Sequence, residues 1–136
     1  MAIVILSPHL DDAVLSCWHV LTQPGEVEVV TVFAGVPRGL TAPAWWDQYT
    51  GAADSEERVR ERIEEDRRAL AVAGRMAVNL GFLDEQYRNG APDLAPLTEQ
   101  IEPLLPAGAR IYIGHRLVVG YPFRRPKMRG SPNPKP

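Results

Sequence analysis

Ile3-Val4-Ile5-Leu6 is an unbroken apolar run that passes through Ser7-Pro8-His9-Leu10-Asp11-Asp12 into a helical pattern over residues 13–21. Such a run reads as a buried strand. The same unit recurs along the chain. Val27 to Phe33 is β-branched and bounded by Pro24-Gly25 and Gly35, so it reads as a second strand. Met76 to Phe82 reads as a third, running into Asp84, and Arg110 to Ile113 as a fourth, ending at Gly114-His115. The clearest helix spans Asp54 to Gly74, with a capping-box-like Asp54/Glu57 start and a buried stripe of Val59, Ile63, Ala69, Leu70 and Ala73. A weaker helix, Asp93 to Leu105, is interrupted by Pro96 and Pro103. Strands alternating with helices predict an α/β fold. It is a Rossmann-like parallel sheet with right-handed crossovers and helices on both faces.

The segment after the first strand holds the chemistry. An imidazole and two adjacent carboxylates sit where a strand ends and a helix begins, the edge at which open α/β sheets bind ligands. His9 and Asp12 are residue types able to converge on one zinc ion, and Asp11 is left to handle protons. One of the two aspartates can instead cap the helix. That accounts for neither the second aspartate nor the histidine. Residues 34–53 form a long loop carrying Trp45 and Trp46, which either anchor it or line a pocket for a sugar or other ring-shaped ligand. No G-x-G-x-x-G follows the first strand, which disfavours a dinucleotide.

The 136 residues suffice for one domain with a core, and 45% hydrophobic with 24% charged residues is ordinary for a globular protein. No stretch approaches a membrane span, and Met1 to Leu6 has no basic region or cleavage site of a signal peptide. The single cysteine, Cys17, fits a small core residue and a reducing, cytoplasmic setting. The net charge of −2 is uneven: residues 121–136 hold five basic, five proline and no acidic residues. This end is expected to be a disordered basic tail after a domain over residues 1–120, with no nucleic-acid partner, since few aromatics accompany the charge. The oligomeric state is not legible.

Pro8-His9-Leu10-Asp11-Asp12 resembles the P/A-H-x-D-D motif of the LmbE-like (PIG-L) zinc N-deacetylases. Arg62, Glu65, Ala69 and Ala73-Gly74 match that family's R-x-x-E-x-x-x-A-x-x-x-L-G helix, with Ala73 in place of Leu. Strand, loop and helix order also agree over residues 2–113. The resemblance implies that His9 and Asp12 bind zinc and that Asp11 is the general base. It also implies a third ligand from a later H-x-D-H-R motif. Here Gly114-His115-Arg116 remains, so His115 takes that place while the preceding His and Asp are missing. A zinc site of His9, Asp12 and His115 leaves one position open for water. Arg62 and Asp84 are expected on elements facing the same sheet edge, where they would hold a sugar hydroxyl. Their plainer roles are a surface ion pair and a helix cap.

The implied activity is zinc-dependent hydrolysis of an N-acetyl or N-acyl group on an amino sugar or glycoside. Departure from the family pattern after about Ile113 leads to a second expectation. The chain would be a truncated or rearranged member, incomplete at the C-terminus, acting as a binding module or without activity. A metal-independent nucleotide-binding module is a distant third.

Overall fold

A computed structural model describes residues 1–114; His115 and the basic tail of residues 121–136 lie outside the described residues. Four strands form one sheet: β1 (Ile3–Ser7), β2 (Val27–Thr31), β3 (Ala77–Asn79) and β4 (Arg110–Ile113). Their order is β3-β2-β1-β4 and every pair is parallel, with Ile3 opposite both Val27 and Arg110. The α/β expectation is met.

Chain direction sets the layers. Helices α1 (Asp12–Leu21) and α3 (Ser55–Val72) join β1 to β2 and β2 to β3, two steps in one direction. Right-handed crossovers then put both helices on one face. The connection from β3 returns to the far side of β1, which sends α4 (Leu94–Ile101) to the other face. Alternation along β1 serves both layers. Ile5 packs with Val20, Leu21, Val29 and Leu70, and Val4 packs with Val30, Leu80, Ile101 and Leu104. Cys17 is a buried member of the first cluster.

Several boundaries differ from the sequence expectation. β2 ends at Thr31, yet Val32 and Phe33 still donate to the carbonyls of Ser7 and Pro8 at 2.9 Å, which ties the segment after β1 to its neighbour. β3 is shorter than residues 76–82 because Gly81 and Phe82 turn to pair with the chain around Phe33 to Gly35. A Cβ at Gly35 would lie 2.5 Å from the Gly81 carbonyl oxygen, so only glycine allows this approach. The loop of residues 34–53 contains a five-residue helix, α2 (Trp45–Tyr49). Pro96 falls in the first turn of α4, where its missing N–H is tolerated, whereas Pro103 belongs to a tighter turn, Glu102–Leu104, that follows. Among the described residues no helix is long and apolar enough to cross a membrane.

Candidate functional site

β1 lies between β2 and β4, so the chain leaves its C-terminal end toward one side and later returns on the other. In such folds the crevice at the sheet edge where the connections diverge is the usual ligand position. Pro8 to Asp12 fill it. Ser7, buried at the end of β1, braces the turn: its Oγ donates to the His9 carbonyl at 2.8 Å and accepts from the Ala13 N–H at 3.0 Å. Asp12 is the first residue of α1 and only 4% exposed. Its Oδ2 turns back, accepting the His9 backbone N–H at 3.0 Å and lying 3.3 Å from His9 Nδ1. The helix N-terminus favours that negative charge.

Asp11 precedes α1 but makes no side-chain cap bond, so the capping role weighed for it is not the one it plays. It sits in the left-handed region at φ 72°, where no other described non-glycine residue is found. Its backbone N–H donates to Oδ1 of Asp66 on α3 at 3.0 Å. Burial pushes the Asp66 carboxyl above its ordinary range, while the bond from Asp11 works against that rise.

His9 reaches across the crevice with its other ring nitrogen, placing Nε2 3.1 Å from Oδ1 of Asp84. Hydrogen bonds to Asp12 and then Asp84 push His9 up to about 9, outweighing the opposing effect of burial. Burial alone would raise Asp84, but the bonds from His9 and the Glu85 N–H hold it below the usual carboxylate range. The Asp84 side chain also caps the 3-10 turn Glu85–Tyr87, so the cap role and the His9 contact coexist.

A second cluster stands on α2 and α3. Asp47 is fully buried; its Oδ2 accepts the Tyr87 hydroxyl and its Oδ1 lies 3.6 Å from Arg62 Nη2. The 3-10 turn thus carries Asp84 to His9 at one end and Tyr87 to Asp47 at the other. On the opposite side of α2 the rings of Trp45, Trp46 and Tyr49 lie 5.6 to 5.8 Å apart, all exposed.

The structure therefore gathers His9, Asp12 and Asp84, with Asp11 beside them. It places Arg62 on Asp47, and Trp45 and Trp46 on an outer helix face. Sequence reasoning missed Asp66, Asp47 and Tyr87. Asp66 had a signal: it occupies the apolar stripe between Ile63 and Leu70, where a carboxylate is out of place. Asp47 and Tyr87 had none. His9 and Asp12 offer the nitrogen and oxygen donors that zinc accepts, and the two side chains lie 3.3 Å apart. Among the described residues no three His, Cys, Asp or Glu side chains are arranged to hold a metal ion, and His115 lies outside them. Gly114 is described: it is buried, and a Cβ there would lie 3.2 Å from the Asp12 carbonyl carbon and the Ala13 nitrogen.

No family model matches the chain, and no curated protein matches it. Solved structures do. A deacetylase of teicoplanin biosynthesis, seen in complex with teicoplanin, superposes with TM-score 0.66 and 28% identity, over 76% of this chain and 53% of that one. The A40926 pseudoaglycone deacetylase gives 0.64 and 38% identity, over 75% and 45%. A zinc-inhibited form of teicoplanin deacetylase gives 0.58 and 37%, over 65% and 36%. The chain spans about half the length of these relatives or less. Its described residues thus share their fold with the teicoplanin and A40926 deacetylases and are similar to them in sequence.

Proposed function

We propose that this chain belongs to the LmbE-like deacetylases and carries the metal- and proton-handling part of a zinc-dependent N-deacetylase. The observation that carries the reading is the trio at the end of β1. The side chains of His9 and Asp12 lie together, and Asp11 is held beside them, in a chain similar to deacetylases. The metal ligands are His9, Asp12 and His115. His115 is assigned from the motif register and lies outside the described residues; Gly114, the residue before it in sequence, packs against the Asp12 backbone.

When bound, zinc supplies Lewis acidity to water and to the amide carbonyl. Asp11 accepts the proton of the attacking water as the new C–O bond forms, and returns it to the amide nitrogen as the C–N bond breaks. The products are a carboxylate and a free amine. Asp84 spends Oδ1 on His9 and the Glu85 N–H, leaving Oδ2 for a substrate hydroxyl. Arg62, partly exposed beside Asp47, offers N–H donors to the same sugar. Trp45 and Trp46 supply apolar surface to a ring-shaped part of the substrate. The substrate class is an N-acylated amino sugar on a glycoside, as the teicoplanin and A40926 relatives suggest.

The test is a zinc titration of the purified chain beside His9→Ala, read by elemental analysis and by amine release from N-acetylglucosamine-type glycosides. Binding should reach one equivalent and be lost in His9→Ala, with amine released only by the loaded parent. Excess zinc should depress turnover, since one relative is a zinc-inhibited form. Equal binding by His9→Ala would defeat the site, and no amine release from any N-acyl glycoside would defeat the activity.

A further inference from the structure

We infer that Asp66 is a positioning residue, holding Asp11 in the backbone conformation that aims its carboxylate; the kinetic part of this inference rests on the deacetylase reading above.

Helix α3 is crowded with charge, yet among its acidic residues Asp66 alone is buried, at 3% exposure. Burying a carboxylate is costly unless it is paired or hydrogen-bonded. Glu56, Glu61 and Glu64 of the same helix form ion pairs with its arginines; Asp66 forms none of the ion pairs found among the described residues. It is spent instead on the amide of Asp11, 55 positions earlier. That amide belongs to the residue at φ 72°. A non-glycine residue in that region is strained and persists only where its surroundings enforce it.

The surroundings are legible. Ser7 pins the residues on either side of Asp11, through the His9 carbonyl and the Ala13 N–H. Asp66 takes the amide between them. A residue before a helix ordinarily adopts extended angles and turns its side chain onto the helix N–H groups. Without Asp66 the Asp11 amide loses this acceptor, and the extended cap geometry becomes the competing state. In that state its carboxylate would turn onto the helix N–H groups, while His9 and Asp12 would keep their own contacts with each other. Asp66 thus separates two roles that the sequence leaves open for Asp11, helix cap and proton acceptor.

The experiment uses the whole chain with Asp66→Ala and Asp66→Asn. The asparagine keeps an acceptor oxygen at the same reach. Hydrogen exchange of the Asp11 amide, followed by NMR, reads the bond without reference to activity. Exchange should accelerate at least ~10-fold in Asp66→Ala and stay slow in Asp66→Asn. Zinc stoichiometry should not change in either. On an N-acetylglucosamine glycoside, kcat should fall ~10- to 100-fold in Asp66→Ala with KM nearly constant, and Asp66→Asn should recover most of it. In an Asp11→Asn background the alanine change should have little further effect, because the residue it positions is already disabled. If Asp66→Ala does not fold, Asp66→Ser takes its place, being too short to reach the amide. Unchanged exchange at Asp11 overturns the inference, as does a kcat loss that asparagine fails to rescue. A parent without turnover counts against the deacetylase reading, and the exchange measurement then decides this one alone.

Discussion

Asp84 Oδ1 lies 3.1 Å from His9 Nε2, joining residues 75 positions apart in the chain. The bond fixes the ring of His9 while its other nitrogen faces Asp12. A carboxylate on the far nitrogen of a ligating histidine fixes its orientation and raises its basicity, and removing such a partner typically costs ~10- to 100-fold in metal affinity. Asp84→Ala should therefore weaken zinc binding by about that factor, measured by competition with a chromophoric chelator. An unchanged affinity would mean that Asp84 does not orient the ligand.

Asp11→Asn should keep the metal and lose hydrolysis. On the proposed function it removes the proton acceptor without removing a ligand, and the backbone amide that bonds Asp66 is untouched. General acid–base catalysis contributes ~10² to 10⁴-fold, and kcat should fall within that range. Near-full turnover with bound zinc would place the acceptor elsewhere.

Gly35→Ala tests the junction that folds the third strand onto the site. The new Cβ would lie 2.5 Å from the Gly81 carbonyl oxygen and 2.8 Å from the Phe82 carbonyl, both backbone atoms with little room to yield. Overpacking of this kind costs about 1–3 kcal/mol. Thermal unfolding should show a midpoint lowered by several degrees; an unshifted midpoint would show that the junction opens at no cost.

Tyr87→Phe should destabilise the α2 region, because it strips a donor from Asp47, whose Oδ1 already has no hydrogen bond among the described residues. Leaving a buried acceptor unpaired costs ~1–3 kcal/mol. Burial, and then the bond to Asp47, push the Tyr87 hydroxyl above the ordinary phenol range. A raised phenol contributes stability that is present below about pH 10 and lost as the pH climbs beyond it. An ultraviolet titration should therefore show one tyrosine ionising late in the parent, and that component should vanish in Tyr87→Phe. Identical titrations would remove Tyr87 from the buried cluster.

Much of this molecule is legible along the chain. Ile3 to Leu6 reads as a buried strand and Arg110 to Ile113 as a further strand, and alternation with helices implies parallel pairing, although β4 is a largely exposed edge strand. His9, Asp11 and Asp12 stand together because they are neighbours in sequence, where a strand ends and a helix begins. Such information is local: hydrophobic period, turn residues, adjacency. What the chain alone could not show was the division of labour among the carboxylates. The sequence leaves Asp11 open between proton handling and helix capping; the fold brings Asp66, on a helix 55 positions away, onto its amide. Asp84 reads as a residue of the same sheet edge or as a helix cap, and only the fold brings His9 to its oxygen. Asp47 carries no mark in the sequence, and only packing closed it off from water with Tyr87 and Arg62. A carboxylate's role depends on its burial and on which donor reaches it. Both are properties of the folded arrangement, set when the crossovers bring α3 and the turn after β3 back over the end of β1.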